Sequence, residues 1–197
     1  MTGRSTLTSL FQRAGNDDTT AQSELFSRYY NQAYRIAYSL LRHREDSEEV
    51  AQDSLHYALT QLTQFDPHKG AFTTWLYMIV ASRCRNKRRR KRLAEIPLLS
   101  WLVQEKSQTT APRNPLEHQF KIEEKYQSLY ESLDKLPEKQ REALILRYFH
   151  ELNYKEISEI AGCSASTAQS RVWLGQKQIQ KAMQLQGHLA NDMLGRG

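Results

Sequence analysis

The sequence predicts an all-α protein: two small helical domains joined by a flexible linker, the second containing a helix-turn-helix. Three observations carry this. Apolar residues recur at three- and four-residue spacing over most of the chain, the period of an amphipathic helix. The period fails between Ala94 and Leu116, where Pro97, Pro112 and Pro115 interrupt the chain. From Tyr154 to Met183 a short periodic run, a glycine turn and a longer run follow one another. The expected division is 1–93, a linker 94–118, a second domain 119–185 and a mobile tail 186–197.

From Ala21 to Leu41, Leu25, Phe26, Tyr29, Tyr30, Ala33, Ile36, Ala37, Leu40 and Leu41 form one wide apolar face, with Asp17 or Asp18 as N-cap. Asp46 with Glu49 resembles a capping box opening a second helix, which buries Val50, Ala51, Leu55, Ala58, Leu59 and Leu62. Pro67 and Gly70 make Phe65–Gly70 a loop. A third helix starts near Ala71, with Phe72, Trp75, Leu76, Ile79 and Val80 on one face. That face runs on through Arg83, Lys87 and Arg90, where its apolar character stops.

Past the linker, Ile122, Tyr126, Leu129, Leu133 and Leu136 carry a helix beginning near Glu117. Pro137 suits the first turn of the next, which holds Ala143, Leu144, Leu146, Tyr148 and Phe149. Asn153 with Glu156 forms a capping box for a short helix ending at Ala161-Gly162. Ser164 caps the last helix, which buries Ala168, Val172, Gly175 and Ile179. The apolar cluster Ile96–Val103 fits docking on a domain of this chain or on a partner.

Charge is the second signal. Eight of the ten residues Arg83 to Arg92 are Lys or Arg and none is acidic, while the whole chain carries 28 Lys+Arg against 22 Asp+Glu, a net +6. Outside this block the chain is slightly acidic, so the positive charge is one patch. The helix is expected to project past its core with charge on every side. Such a block is either a solvated helix end or an arm for a polyanion. The hydrophobic share of 39% argues against global disorder. No apolar run approaches a membrane span, and the first residues hold no signal-peptide core, so a cytosolic protein is expected. Cys84 and Cys163 lack any metal-ligand spacing. No carboxylate cluster, paired His, Gly-rich phosphate loop or nucleophile motif points to an enzyme, and no cofactor or metal is expected.

In the helix-turn-helix, Ser158 gives close helix packing and Gly162 the turn. The following helix offers Ser166, Thr167, Gln169, Ser170 and Arg171 near its start. Short polar side chains plus one Arg can reach phosphates and base edges in a major groove. A plain helical hairpin would share the spacing.

Four ordered stretches then show a resemblance. Asp46-Ser47-Glu48-Glu49-Val50-Ala51-Gln52-Asp53 is similar to the D-A-E-D-L-V-Q-E stretch of the extracytoplasmic-function (ECF) group of bacterial sigma factors. Phe65-Asp66-Pro67 and Phe72-Thr73-Thr74-Trp75-Leu76-Tyr77-Met78-Ile79 resemble its F-D-P…F-x-x-W-L-Y-x-I stretch. Leu136-Pro137-Glu138-Lys139-Gln140-Arg141-Glu142 matches L-P-x-x-x-R-E, and Thr167-Ala168-Gln169-Ser170-Arg171-Val172 corresponds to T-V-K-S-R-L. The likeness covers about residues 20–92 and 120–183. The chain departs at Ser82 (usually Asn), Asn86 (usually Asp), Gln169 (usually Lys) and Leu174 (usually Arg).

The resemblance implies a transcription initiation factor that binds core RNA polymerase, directs it to promoter DNA and helps open the duplex. It implies that Glu49, Gln52, Asp53 and His56 dock on polymerase. The loop with Phe65, His68 and Lys69 would take a flipped base, with Tyr77, facing outward, as the better stacking candidate than the buried-face Phe72 and Trp75. Arg83, Arg85, Lys87, Arg88 and Arg89 would follow phosphates of the −10 element, and Ser166, Thr167, Gln169, Ser170 and Arg171 would read the −35 element. Anti-sigma factors commonly hold the family inactive, so one is a further expected partner. A monomer is expected when free. The rival of a different class is a helix-turn-helix regulator working without polymerase; it would need neither the Asp46–Asp53 surface nor the Phe65 loop.

Overall fold

The structure, a computed structural model, describes residues 2–66, 68, 70–94 and 124–194, with side chains described over 7–66, 68, 70–93 and 129–184. The described residues are helical with no strand. The chain separates into two compact units. Residues 95–118 of the expected linker, with the cluster Ile96–Val103, and Ile122 lie outside the described residues, while Ala94 still belongs to a helix.

Unit 1 holds α1 (Thr2–Gly15), α2 (Thr19–Leu41), α3 (Arg44–Thr60), a 3-10 turn (Leu62–Gln64) and α4 (Phe72–Ala94). α2 packs against α1, α3 and α4, and α3 packs against α4. The core is the expected one: Leu25, Ile36, Ala37, Leu55, Leu76 and Val80 are fully buried. α1 was not expected, although Leu7, Leu10, Phe11 and Ala14 repeat at helical spacing. Leu10 and Ala14 are buried. Asp18, not Asp17, caps α2, its Oδ1 accepting from the Thr20 and Ala21 amides at 3.0 and 3.1 Å. Asp17 instead takes a left-handed turn at φ 60°.

The expected bounds of the second helix move at both ends. α3 begins at Arg44 with His43 as N-cap, so Asp46 and Glu49 form no capping box. Asp46 sits inside the first turn and is buried. α3 also ends at Thr60, leaving Leu62 to the 3-10 turn.

Unit 2 holds α5 (Glu124–Asp134), α6 (Glu138–Tyr148), α7 (Tyr154–Ala161) and α8 (Ala165–Leu194). Pro137 is the N-cap of α6, one position earlier than expected, and its carbonyl accepts from Gln140. The Asn153–Glu156 capping box forms as expected, and Gly162 ends α7 at φ 60°. The Ser164 hydroxyl accepts from the Thr167 amide at 3.1 Å. α8 does not stop at Gln186; its backbone stays helical through Leu194.

α6 and α8 approach closely at Gly175, where an added Cβ would lie 2.6 Å from Leu144 Cδ1. Leu144 is itself buried. Overpacking costs about 1–3 kcal/mol, and the better helix propensity of alanine offsets about 1 kcal/mol. Gly175→Ala is therefore expected to lower unit 2 stability by about 1 kcal/mol in urea unfolding. A stabilised variant would mean that Leu144 repacks freely.

Candidate nucleic-acid interface

α3 turns its apolar side, with Ser47 and Ser54, into the core. Helical spacing then puts Glu49, Gln52, Asp53 and His56 on one outward stripe. Asp53 and His56 are exposed, while Glu49 and Gln52 are half-buried. Tyr57 continues the stripe at 39% exposure.

The basic block does not project with charge on every side. α4 lies against α2 and α3, and its cations divide among three directions. Lys87 Nζ bonds Glu49 Oε2 at 2.8 Å and lies 3.4 Å from Asp46 Oδ1. Lys91 also bonds the Asp46 carboxylate. Arg83 sits 3.8 Å from Asp53 and over the Tyr57 ring at 5.4 Å. Arg88 donates to the Leu40 carbonyl of α2. Arg85, half-buried, shares a third stripe with the exposed Met78, Ser82 and Arg89, at spacings of four, three and four.

Asp46 anchors the first group. Burial pushes its carboxyl up, but the Lys91 hydrogen bond and charge, with His43 and Lys87, outweigh this and hold it below its ordinary 3.8. Burial pushes the Lys87 ammonium down, but Glu49 and Asp46 outweigh that and raise it above 10.5.

Tyr77 does not face outward as expected. It is half-buried; burial raises its phenol, and Arg35 of α2 partly opposes this. Phe65 likewise belongs to an aromatic cluster. Its ring lies 5.4 Å from Phe72, 5.6 Å from Trp75 and 5.9 Å from Phe11. Beside this cluster a cavity of about 880 Å³ opens between α1 and the loop leading into α4. His68 is exposed, with its amide on Asp66 Oδ1 at 2.9 Å. Lys69 lies outside the described residues.

In unit 2, Ser166, Thr167, Gln169 and Ser170 are exposed on the first turns of α8. The Ser164 hydroxyl lies 2.9 and 2.8 Å from the Ser166 and Thr167 hydroxyls. Arg171 is half-buried and directs Nη1 to Cys163 Sγ at 3.4 Å, back toward the turn. The sequence reasoning missed Trp173, which is 52% exposed. The Lys177 ammonium lies 3.9 Å over its ring. Trp173 and Lys177 follow Ser166 and Ser170 on the outward side, a signal present in the same periodicity.

Among the described residues no group of three or more His, Cys, Asp or Glu could hold a metal ion. No described helix is long and apolar enough to cross a membrane.

Residues 25–94 match the Sigma-70 region 2 family, and residues 126–175 match Sigma-70, region 4. The RNA polymerase sigma factor YlaC of Bacillus subtilis is 31% identical over 163 residues, covering 81% of this chain and 90% of that protein. The ECF RNA polymerase sigma factor SigW of the same organism is 26% identical over 171 residues, covering 84% and 90%. The fold is that of the sigma factor RpoE solved in complex with the anti-sigma factor NepR from Bartonella quintana. That likeness has a TM-score of 0.62 at 24% identity, over 82% of this chain and 96% of that one. With both regions in order and a 31% identical match over nine-tenths of a sigma factor, the chain belongs to the ECF-type RNA polymerase sigma factors: a non-enzymatic initiation factor that binds core polymerase, directs it to specific promoters and promotes DNA opening.

Proposed function

We propose that unit 1 uses two different faces for its two partners. The α3 stripe of Glu49, Gln52, Asp53 and His56 docks on core polymerase. The α4 stripe of Arg85 and Arg89 follows the phosphates of the −10 element, and the loop from Phe65 to Ala71 takes an unpaired base of the displaced strand. In unit 2 the start of α8, from Ser166 to Arg171, reads the −35 element. The observation that carries this division is the splitting of the basic block: Arg83 and Lys87 pair with acids of α3, while the exposed Arg89 lies with the half-buried Arg85 on a different stripe of α4. Unstacking a base costs a few kcal/mol, and an aromatic surface offsets it.

The factor acts in the cytoplasm, where its polymerase is, and an anti-sigma factor holds it inactive. RpoE, which shares the fold, was solved with such a partner. The test combines the protein with core polymerase and sequences transcripts started on genomic DNA. Gln52→Ala with His56→Ala, which break none of the ion pairs described above, is expected to weaken polymerase binding about tenfold. DNA binding by the assembled holoenzyme should be unchanged. Full polymerase affinity in the double variant would exclude the α3 stripe as the docking face.

A further inference from the structure

The cavity beside Phe65 has a wall that the matched family segment, residues 25–94, does not include: α1. Leu7, Phe11 and Gln12 line it from that side, opposite Thr63, Phe65 and Thr73. Phe11 makes the aromatic floor continuous. Its ring lies 4.9 Å from Phe72 and 6.3 Å from Tyr29. Among the described residues no charged side chain lines the cavity, although α4, which starts at its edge, is strongly cationic. The described lining combines an aromatic floor with a rim of amides and hydroxyls. It suits a planar, neutral heteroaromatic ring with polar edges, and 880 Å³ lies within the range of small-ligand sites.

Gln12 has no hydrogen-bonding partner among the described residues and is exposed at the cavity. Its amide carries both a donor and an acceptor, the pair that can bond two atoms of one base edge. We propose that α1 forms the outer wall of the pocket for the unpaired promoter base and that Gln12 is the residue that discriminates between bases there. This rests on the reading that the Phe65 loop takes such a base. Phe11 and Phe65 supply stacking, which every base satisfies. Gln12 supplies edge contacts, which they do not share equally. α4 leads from Thr73 at the rim to Arg85 over about 18 Å of helix, so a strand held on the Arg85–Arg89 stripe can deliver its base to the cavity.

The test uses holoenzyme on promoter templates with a pre-opened bubble. Each position of the displaced strand carries in turn one of the four bases or an abasic sugar, and open-complex lifetime is measured. The wild type is expected to lose about tenfold in lifetime at one abasic position and to rank the four bases there. Gln12→Ala should keep the abasic penalty and bring the four bases within about twofold of one another. Gln12→Glu, which keeps the acceptors and loses the amide donor, should re-order them. Phe65→Ala should reduce the abasic penalty itself. If Phe65→Ala does so but Gln12→Ala leaves the ranking intact, the loop takes the base and α1 does not read it. If the wild type shows no abasic penalty anywhere, the loop reading fails and this inference fails with it. Thermal melting of Gln12→Ala should match the wild type.

Discussion

Replacing Arg85 and Arg89 together by alanine is expected to weaken holoenzyme binding to every promoter alike, with the loss largest at low salt. Each phosphate contact removed lowers the slope of log affinity against log salt by about one unit on duplex DNA, and less on single strands. The double variant should therefore lose about two units of slope. Because the exposed Arg89 and the half-buried Arg85 lie on a stripe of α4 apart from the α3 ion pairs, polymerase binding should persist. The paired control is Arg83→Ala with Lys87→Ala. Those cations face Asp53 and Glu49, so the control should change the slope less and the unit 1 melting temperature more. Equal slopes in both variants would mean that binding to DNA re-sorts the block, with Lys87 and Arg83 leaving α3.

Asp46→Ala is expected to cost unit 1 about 2–3 kcal/mol. The side chain is only 11% exposed and answers two ammonium groups, and hydrogen bonds between charged groups carry about 1.5–3 kcal/mol. Lys91 is half-exposed and water can recover its charge, so the loss stays below that of a fully buried pair. A fall in melting temperature on the order of 10 °C follows for a domain this small. The pH dependence has a definite sign. The Asp46 carboxyl is lowered by folding, so its stabilisation is present above 3.8 and is lost as pH falls through the lower folded value. Lys87 is raised by folding, so its stabilisation is full below 10.5 and is lost as pH rises through the higher folded value. The gap in melting temperature between wild type and Asp46→Asn should be wide and flat at neutral pH and should close in acid. A gap that persists at pH 2 would assign the effect to packing and not to charge.

The helical domains and the capping box at Asn153 were legible because their signals are local. A period of three to four and a cap need only neighbouring residues. The outward stripe of α3 was legible for the same reason. The capping-box expectation at Asp46 failed because Asp46 has a stronger use: two lysines about 40 residues later hold its carboxylate inside the first turn, and His43 takes the cap. Tyr77 failed similarly. Its place on α4 looks outward until α2, with Arg35, packs over it. The rival of a regulator working without polymerase gave way when both sigma regions were found in order on one chain.

By itself the sequence determined that this is an all-α chain with a basic block, a helix-turn-helix and four ordered family motifs, since periodicity, turn residues and charge blocks are properties of consecutive residues. Only the tertiary structure decided what each charge in the block faces. Arg83 to Arg92 read as one block because they are adjacent in sequence, but a helix turns each successive side chain by about 100°. Once α2 and α3 cover two sides of α4, Lys87 and Lys91 meet acids, Arg88 meets a carbonyl, and Arg89 stays exposed. The same packing brings Phe11 of α1 against Phe65 and Phe72, more than 50 residues away in the chain, and so makes a cavity that no local pattern encodes.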